Sequence, residues 1–164
     1  MSNVIAFSNA GLPDVSTLST ALRTLEVEVG SAGTVIIKMD KTGHWVYGAD
    51  QTEVDDAATW VVNPFSFIHG FIAWGDGEVL GEKMVNVSQP LPELDVSPAG
   101  AKRGWETQVG MSMKCLTGDD AGMEATFSTT SVGGKRSVQA LAVAIANQVE
   151  KDHTKPVPVI SLKK

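Results

Sequence analysis

The strongest pattern of apolar and polar positions in the chain lies between residues 123 and 149. Residues 123–127 alternate in the way a strand does, and a polar turn follows over 128–132. Beyond Gly133-Gly134-Lys135-Arg136, apolar residues recur three and four positions apart, which is the spacing of a single buried helix face. These residues are Val138, Leu141, Ala142, Ile145 and Val149. The pattern predicts a strand, a turn and an amphipathic helix that ends within residues 153–156.

The remainder of the chain reads as short strands separated by turn residues. β-branched residues predict a strand over 34–39, and a glycine-containing turn leads to a return strand over 44–47. Asp76-Gly77 is typical of a hairpin turn. Further strands are predicted over 60–62, 65–74, 78–87, 105–116 and 156–162. A short helix is predicted over 15–25, and the small, polar residues 1–14 are expected to be mobile.

Short strands, glycine-rich turns and few helices favour a mainly β fold with a minor α+β character. We expect an antiparallel β-barrel or a curled sheet of about seven strands, with the amphipathic helix in the C-terminal half. An open antiparallel sheet backed by this helix is the alternative. A chain of 164 residues has room for one domain, which we assign to residues 15–164 after the mobile segment 1–14.

Composition and charge exclude several classes of protein. The net charge of −6 argues against a protein that coats duplex DNA through bulk charge. The basic residues occur in pairs, however, so the sequence is compatible with a basic groove on an otherwise acidic protein. The apolar runs are shorter than a membrane span, and no signal-peptide pattern precedes them. The single cysteine, Cys115, excludes an internal disulfide framework and suits a reducing cytoplasm, where we expect the protein to reside.

Signatures of catalysis and of metal binding are missing from the sequence. The three histidines lie far apart and match no zinc-ligand spacing. There is no Gly-x-Ser-x-Gly elbow, and Gly134-Lys135 lacks the upstream glycine of a nucleotide-binding phosphate loop. The acidic run 50–56 lacks the ligand order of a calcium loop and is predicted to be a solvated loop. We therefore expect no enzyme activity, no metal and no cofactor.

Aromatic and basic residues lie close together along three stretches of the chain. Rings that stack on bases, with cations beside them, bind single-stranded nucleic acids without reading their sequence. Alternatively the aromatic residues belong to the core, which we expect of Phe67 and Phe71. The predicted stacking residues are Trp45, Tyr47, Trp74 and Trp105. The predicted phosphate contacts are Lys38, Lys41, Lys102, Arg103, Lys135 and Arg136.

Two stretches of the chain carry a pattern that is found in a known family. One is Asn63-Pro64 followed by Phe67-Ile68-His69-Gly70-Phe71-Ile72-Ala73-Trp74-Gly75. The other runs from Phe127 through Ser131-Val132-Gly133-Gly134 into the alanine-rich helix. With these stretches, residues 33–162 resemble phage-encoded single-stranded DNA-binding proteins built on an OB-type barrel.

The resemblance implies an OB-like β-barrel that binds single-stranded DNA without sequence specificity and supports phage DNA replication or recombination in the host cytoplasm. Phage or host replication proteins and further copies of the chain, in a homo-oligomer, are the candidate protein partners, and we expect no membrane association because the apolar runs are short. The alternative is a phage structural or host-interaction protein that binds no nucleic acid. Such a protein would be an assembly factor or an acidic inhibitor of a host defence nuclease, working through the acidic groups at 50–56 and 119–124.

Overall fold

The computed structural model describes residues 34–163 of the chain. The predicted mobile segment 1–14 and the helix predicted over 15–25 lie outside the described residues. The described residues form nine strands and one helix. These are β1 (Thr34–Met39), β2 (Trp45–Tyr47), β3 (Thr52–Glu53), β4 (Thr59–Val62), β5 (Ile68–Trp74), β6 (Val79–Asn86), β7 (Glu106–Cys115), β8 (Glu124–Thr129), α1 (Val132–Lys151) and β9 (Val159–Ser161).

The strands form one curled sheet with the shape of half a barrel. Seven strands follow one another in the order β3-β2-β1-β8-β7-β4-β9, and β5 and β6 branch from β7. The prediction of a mainly β fold with a curled sheet and a C-terminal helix is therefore confirmed. The sheet is mixed, so the prediction of a purely antiparallel sheet was wrong. Hairpin signals specify only consecutive strands, and they could not show that β1 lies beside β8, far later in the chain.

β7 is the strand at which the sheet divides. Along one edge it pairs with β8, from Val109–Thr129 to Lys114–Glu124. Along the other edge its first half pairs with β5 and its last residues pair with β4. Between these partners, the Ser112 amide donates a hydrogen bond to Ser66 Oγ at 2.8 Å, and the Asn63 amide donates to the Ser112 carbonyl at 3.0 Å. A short loop therefore satisfies the backbone of β7 where no strand lies beside it.

Alternation along the strands gives the sheet two faces, and the core lies on the face that α1 covers. We call this the inner face. Its core includes Ile37, Trp60, Val62, Met113, Phe127, Val138 and Ile145. Val138 and Ile145 are the buried residues of α1. Burial of an aliphatic side chain of this size contributes about 1.5–3 kcal/mol, so α1 is held by docking against the sheet.

α1 begins earlier than the sequence predicted. Ser131 caps the helix, and its side-chain oxygen accepts a hydrogen bond from the Gly134 amide at 3.0 Å. Gly133 and Gly134 therefore lie in the first turn rather than in a preceding loop. A Cβ at position 134 would collide with the side chains of Thr129 and Ser131, which explains the glycine there. The cap lets the helix start on two glycines, although glycine is a poor helix former.

The acidic run 50–56 is only partly the loop that the sequence predicted. Thr52–Glu53 forms β3, which pairs with β2 through Val46–Glu53 and Tyr47–Thr52. Both residues of this strand are polar and exposed, so no apolar alternation marked it in the sequence.

Candidate nucleic-acid interface

Trp45 lies at the edge of the core rather than on a free surface. Its ring meets Phe127 edge-on, at a centroid distance of 5.2 Å and an interplanar angle of 69°. Its indole nitrogen donates a hydrogen bond to the Lys163 carbonyl at 3.0 Å. Both contacts fix the orientation of the side chain, since an edge-to-face pair and an indole hydrogen bond are directional. The β1–β2 hairpin thus uses Trp45 for internal packing.

Tyr47 also faces the core, because its register partner across the hairpin is the fully buried Ile37. Its hydroxyl donates a hydrogen bond to Asp120 Oδ1 at 2.9 Å. This hydrogen bond, followed by burial, raises the pKa of Tyr47 above its usual value. Lys38 pairs with Val46 and therefore lies on the opposite face of the hairpin from Tyr47. Lys41 is exposed in the connecting turn. This hairpin does not present its aromatic rings and Lys38 on one surface.

Trp74, Lys102 and Arg103 meet where β5 ends and β7 begins. The Lys102 amide donates a hydrogen bond to the Trp74 carbonyl at 3.0 Å, which attaches the segment before β7 to the end of β5. The Trp74 side chain is 40% exposed. The Lys102 ammonium lies 2.8 Å from the Asp76 carboxylate, and the Arg103 guanidinium lies 3.7 Å from that of Glu106. Because both basic side chains stay largely exposed, these are weak surface pairs that a phosphate can replace.

Trp105 lies on the inner face of β6 and is held there from several sides. A Cβ on Gly81 would lie 2.8 Å from the indole ring, so the absence of a side chain at this position makes room for the ring. The indole nitrogen donates to the Asp95 carbonyl at 3.0 Å. The Lys83 ammonium lies 5.6 Å from the ring centroid, which is the range of a cation–π contact. Trp105 is thus half-buried, and it anchors the loop of residues 87–105, which we call the β6–β7 loop.

Lys83 connects the same loop to β6. Its ammonium lies 2.7 Å from the Asp95 carboxylate and donates a hydrogen bond to the Glu93 carbonyl at 3.2 Å. The hydrogen bond from Lys83 is the main cause that lowers the pKa of Asp95 below its usual value. Lys83 is therefore engaged with the ring of Trp105 and with the loop at the same time.

Lys135 brings α1 to this end of the sheet. Its ammonium donates a hydrogen bond to Thr107 Oγ1 at 2.7 Å. Thr107 lies on the inner face opposite Phe71, and Trp105 reaches the same face through its contact with Gly81. Within residues 34–163, Lys135 forms no ion pair. Arg136 is exposed beside it. The structure therefore brings Trp105 and Lys135 to the same end of the inner face. Lys102 pairs instead with Asp76 in the β5–β6 turn, and Arg103 pairs with Glu106, which faces the opposite side of β7 from Thr107. The β1–β2 hairpin is separated from β7 by β8.

Sequence reasoning missed the residues that connect this group across the sheet. Phe71 of β5 pairs with Lys83 on one side and with Thr107 on the other, so the three share the inner face. With Lys135 bound to Thr107, they form what we call the cross-strand row: Lys83, Phe71, Thr107 and Lys135. The hairpin turn at Asp76-Gly77, combined with strand alternation, is the signal that could have placed Lys83 beside Phe71.

An apolar groove of about 420 Å³ lies between α1 and the inner face, next to the cross-strand row. Phe67 and Val109 line it from the sheet side, and Val138 and Ala142 line it from the helix. Lys135 also lines it, as does His69, whose Nε2 lies 2.8 Å from the Gln89 carbonyl oxygen. Apolar walls with few polar groups are typical of binding sites.

Across residues 34–163, no cluster of three or more His, Cys, Asp or Glu side chains could hold a metal ion. Within the same residues, no helix is both long enough and apolar enough to cross a bilayer. Comparison with protein families, curated proteins and solved structures finds no match to this chain.

Proposed function

We propose that this chain is a non-sequence-specific single-stranded DNA-binding protein that supports phage DNA replication or recombination. The observation that carries the proposal is the cross-strand row, in which Lys83 and Lys135 flank Phe71 and Thr107 beside Trp105. Stacking of an unpaired base on an aromatic ring contributes roughly 1–3 kcal/mol, and flanking cations attract the phosphates. The curled, mainly β sheet is compatible with an OB-like barrel, a fold that supports this mode of binding.

The distribution of charge supports binding of single strands over duplex. The Lys102 and Arg103 side chains are 66% and 82% exposed, and their carboxylate partners are surface groups that contribute little to stability. Phosphates can therefore replace these partners at low cost. Duplex DNA offers phosphates but no free base faces, so against a body of net charge −6 it lacks the stacking term.

A titration by fluorescence anisotropy tests the proposal, with a labelled oligothymidylate and a labelled duplex of equal length. We expect micromolar or tighter binding of the single strand at low salt and much weaker binding of the duplex. Binding should also weaken as salt rises, because phosphate contacts release counterions. Equal affinity for the two forms, or no binding at low salt, would remove the proposal.

A protein-binding role without nucleic acid is the second candidate, as a phage assembly factor or an acidic inhibitor of a host defence nuclease. Exposed apolar side chains in the β6–β7 loop favour it: Leu91, Leu94 and Val96 are 52%, 48% and 91% exposed. Apolar surface of this kind is typical of interaction sites. The same titration separates the candidates, because this one predicts no binding of either DNA form.

A further inference from the structure

The apolar groove between α1 and the inner face has a charge that contrasts with the rest of the chain. The whole chain has a net charge of −6, yet none of the described residues that line the groove is an Asp or a Glu. Among the lining residues within 34–163, Lys135 and His69 are the only ones able to carry charge. The groove therefore pairs apolar walls with a cation, and it complements a ligand that is apolar and anionic.

Lys135 is the cation best placed to receive such a ligand. It is half-buried, and its ammonium is bound to a neutral hydroxyl, whereas Lys83 and Lys102 each contact a carboxylate. A carboxylate adds the attraction between two opposite charges, which the neutral Thr107 hydroxyl cannot supply. An incoming carboxylate would thus make a stronger contact with Lys135 than Thr107 does. The N-terminal end of α1, where Lys135 lies, also favours an anion.

The apolar lining favours a peptide over a nucleobase as the occupant. A base edge carries several donors and acceptors, and each one that is buried without a partner costs free energy. Apart from Lys135, the side-chain polar groups of the groove belong to Gln139 and His69, and the His69 ring is already within hydrogen-bond distance of the Gln89 carbonyl. Aliphatic or aromatic side chains of a peptide lose no hydrogen bonds there. The groove volume is in the range that accepts a small ligand or several side chains.

We propose that this groove docks a protein partner through a short segment in which apolar side chains lie next to a carboxylate. The apolar side chains contact Phe67, Val109 and Ala142, and the carboxylate binds the Lys135 ammonium. This proposal does not depend on DNA binding, although Lys135 takes part in both.

Selection from a displayed library of random peptides tests the docking proposal on the full chain. We expect the enriched peptides to combine two or more large apolar residues with at least one Asp or Glu. Ala146→Trp should weaken their binding about tenfold or more, because Ala146 is exposed and lines the groove, so a tryptophan there fills it. Gln139→Trp, at a second exposed lining position, should do the same. Ala140→Trp is the matched control on the same helix and should leave binding unchanged.

The charge contact has its own pair of variants. Lys135→Gln should weaken binding of the selected peptides about tenfold, and Lys151→Gln, in the last turn of the same helix, should not. No enrichment, enrichment of peptides without a carboxylate, or binding that survives all three groove variants would overturn the proposal. Loss of oligothymidylate binding in Ala146→Trp without any selected peptide would instead assign the groove to nucleic acid.

Discussion

At the scale of single residues, exposure and hydrogen bonding separate aromatic side chains that carry out different tasks. The Trp74 ring is 40% exposed, and its backbone carbonyl, rather than its ring, receives the bond from Lys102. The Trp105 ring covers Gly81 and its indole holds the β6–β7 loop. The Trp105 ring therefore has a structural role in addition to the stacking role proposed above, whereas for Trp74 we propose stacking alone.

Replacement of the two tryptophans should give different results. Trp74→Ala should weaken single-stranded DNA binding by roughly 1–3 kcal/mol and lower the free energy of unfolding less than Trp105→Ala does, because its ring is less buried. Trp105→Ala should weaken binding and also lower the free energy of unfolding by about 1–3 kcal/mol, because a packed ring is lost. Anisotropy titrations and urea unfolding measure the two effects, with Trp74→Phe and Trp105→Phe as controls. If Trp105→Ala unfolds at the wild-type urea concentration, the ring has no structural role.

The pair Lys135→Ala and Arg136→Ala should weaken single-stranded DNA binding and change the stability of the fold little. Cations near the start of a helix oppose its dipole, so their removal offsets part of the roughly 1 kcal/mol that is lost with the hydrogen bond from Lys135 to Thr107. Loss of two phosphate contacts should reduce the slope of log affinity against log salt by about 1.4. Lys151→Ala with Lys155→Ala, around the other end of α1, is the control. Unchanged affinity and slope in the first pair would mean that phosphate binds elsewhere.

Asp40 should make stability depend on pH in the turn after β1. Its carboxylate accepts hydrogen bonds from the Thr42 hydroxyl, at 2.7 Å, and from the Thr42 and His44 amides, at 2.8 and 3.0 Å. These bonds, with the Thr42 hydroxyl as the largest cause, lower the pKa of Asp40 from 3.8 to about 2. A lowered pKa stabilises the fold above the unfolded-state value, and that contribution is lost as pH falls through the folded-state value.

Asp40→Ala should therefore lower the urea midpoint at pH 7. The difference in urea midpoint between the variant and the wild-type chain should shrink as the pH falls from about 4 to about 2, which is the interval between the unfolded-state and folded-state pKa of Asp40. Urea unfolding of both chains at a series of pH values measures this difference. A difference that stays constant over this interval would show that the turn is stabilised by something other than the ionised carboxyl.

At the scale of elements, the sequence predicted those strands whose apolar alternation is long. β1 was predicted with the bounds that it has, and β7 was predicted to within one residue at each end. The start of α1 was predicted too late, since two glycines resemble a turn until the Ser131 cap is seen. β3 was missed because its pairing, rather than its composition, makes it a strand.

Sequence could predict only those parts of the candidate site that are close together along the chain. Lys102, Arg103 and Trp105 are neighbours in sequence, so their proximity needed no tertiary information. The contact between Lys135 and Thr107 depends on how α1 docks, and no local pattern encodes it. The opposite facing of Lys38 and Tyr47 followed from alternation once the hairpin register was known.

The β6–β7 loop should loosen when its connection to β6 is removed. Lys83→Met deletes the ion pair with Asp95, the hydrogen bond to the Glu93 carbonyl and the contact with the Trp105 ring. We expect faster amide hydrogen exchange in the loop, with exchange in α1 unchanged. Lys114→Met, at an exposed position of β7, is the control. Equal exchange in both variants would mean that the indole hydrogen bond of Trp105 holds the loop by itself.

At the scale of the whole molecule, the acidic run 50–56 offers a test between the two candidate functions. Changing Asp50, Glu53, Asp55 and Asp56 to amides takes the net charge from −6 to −2, since four negative charges are lost. The fold should survive, because these side chains are exposed and an asparagine at position 55 retains the oxygen that accepts the Ala57 amide.

With a DNA-binding function, anisotropy titrations should show unchanged or slightly tighter binding after this neutralisation, because repulsion of phosphates falls. With an acidic host-interaction function, the same variant should lose its activity in infected cells. Weaker DNA binding after neutralisation would contradict the position of the acidic run outside the interface.

The division of the sheet at β7 has a consequence for how the chain is made. β4 carries the fully buried Trp60 and Val62, and its strand partners, β7 and β9, both come later in the chain. β5 and β6 can close as a hairpin by themselves, whereas β4 has no partner until β7 has left the ribosome. A nascent chain that pauses before this point exposes a large indole ring and an open strand edge, which are features that promote aggregation. The yield of folded protein should thus depend on how quickly translation passes β7.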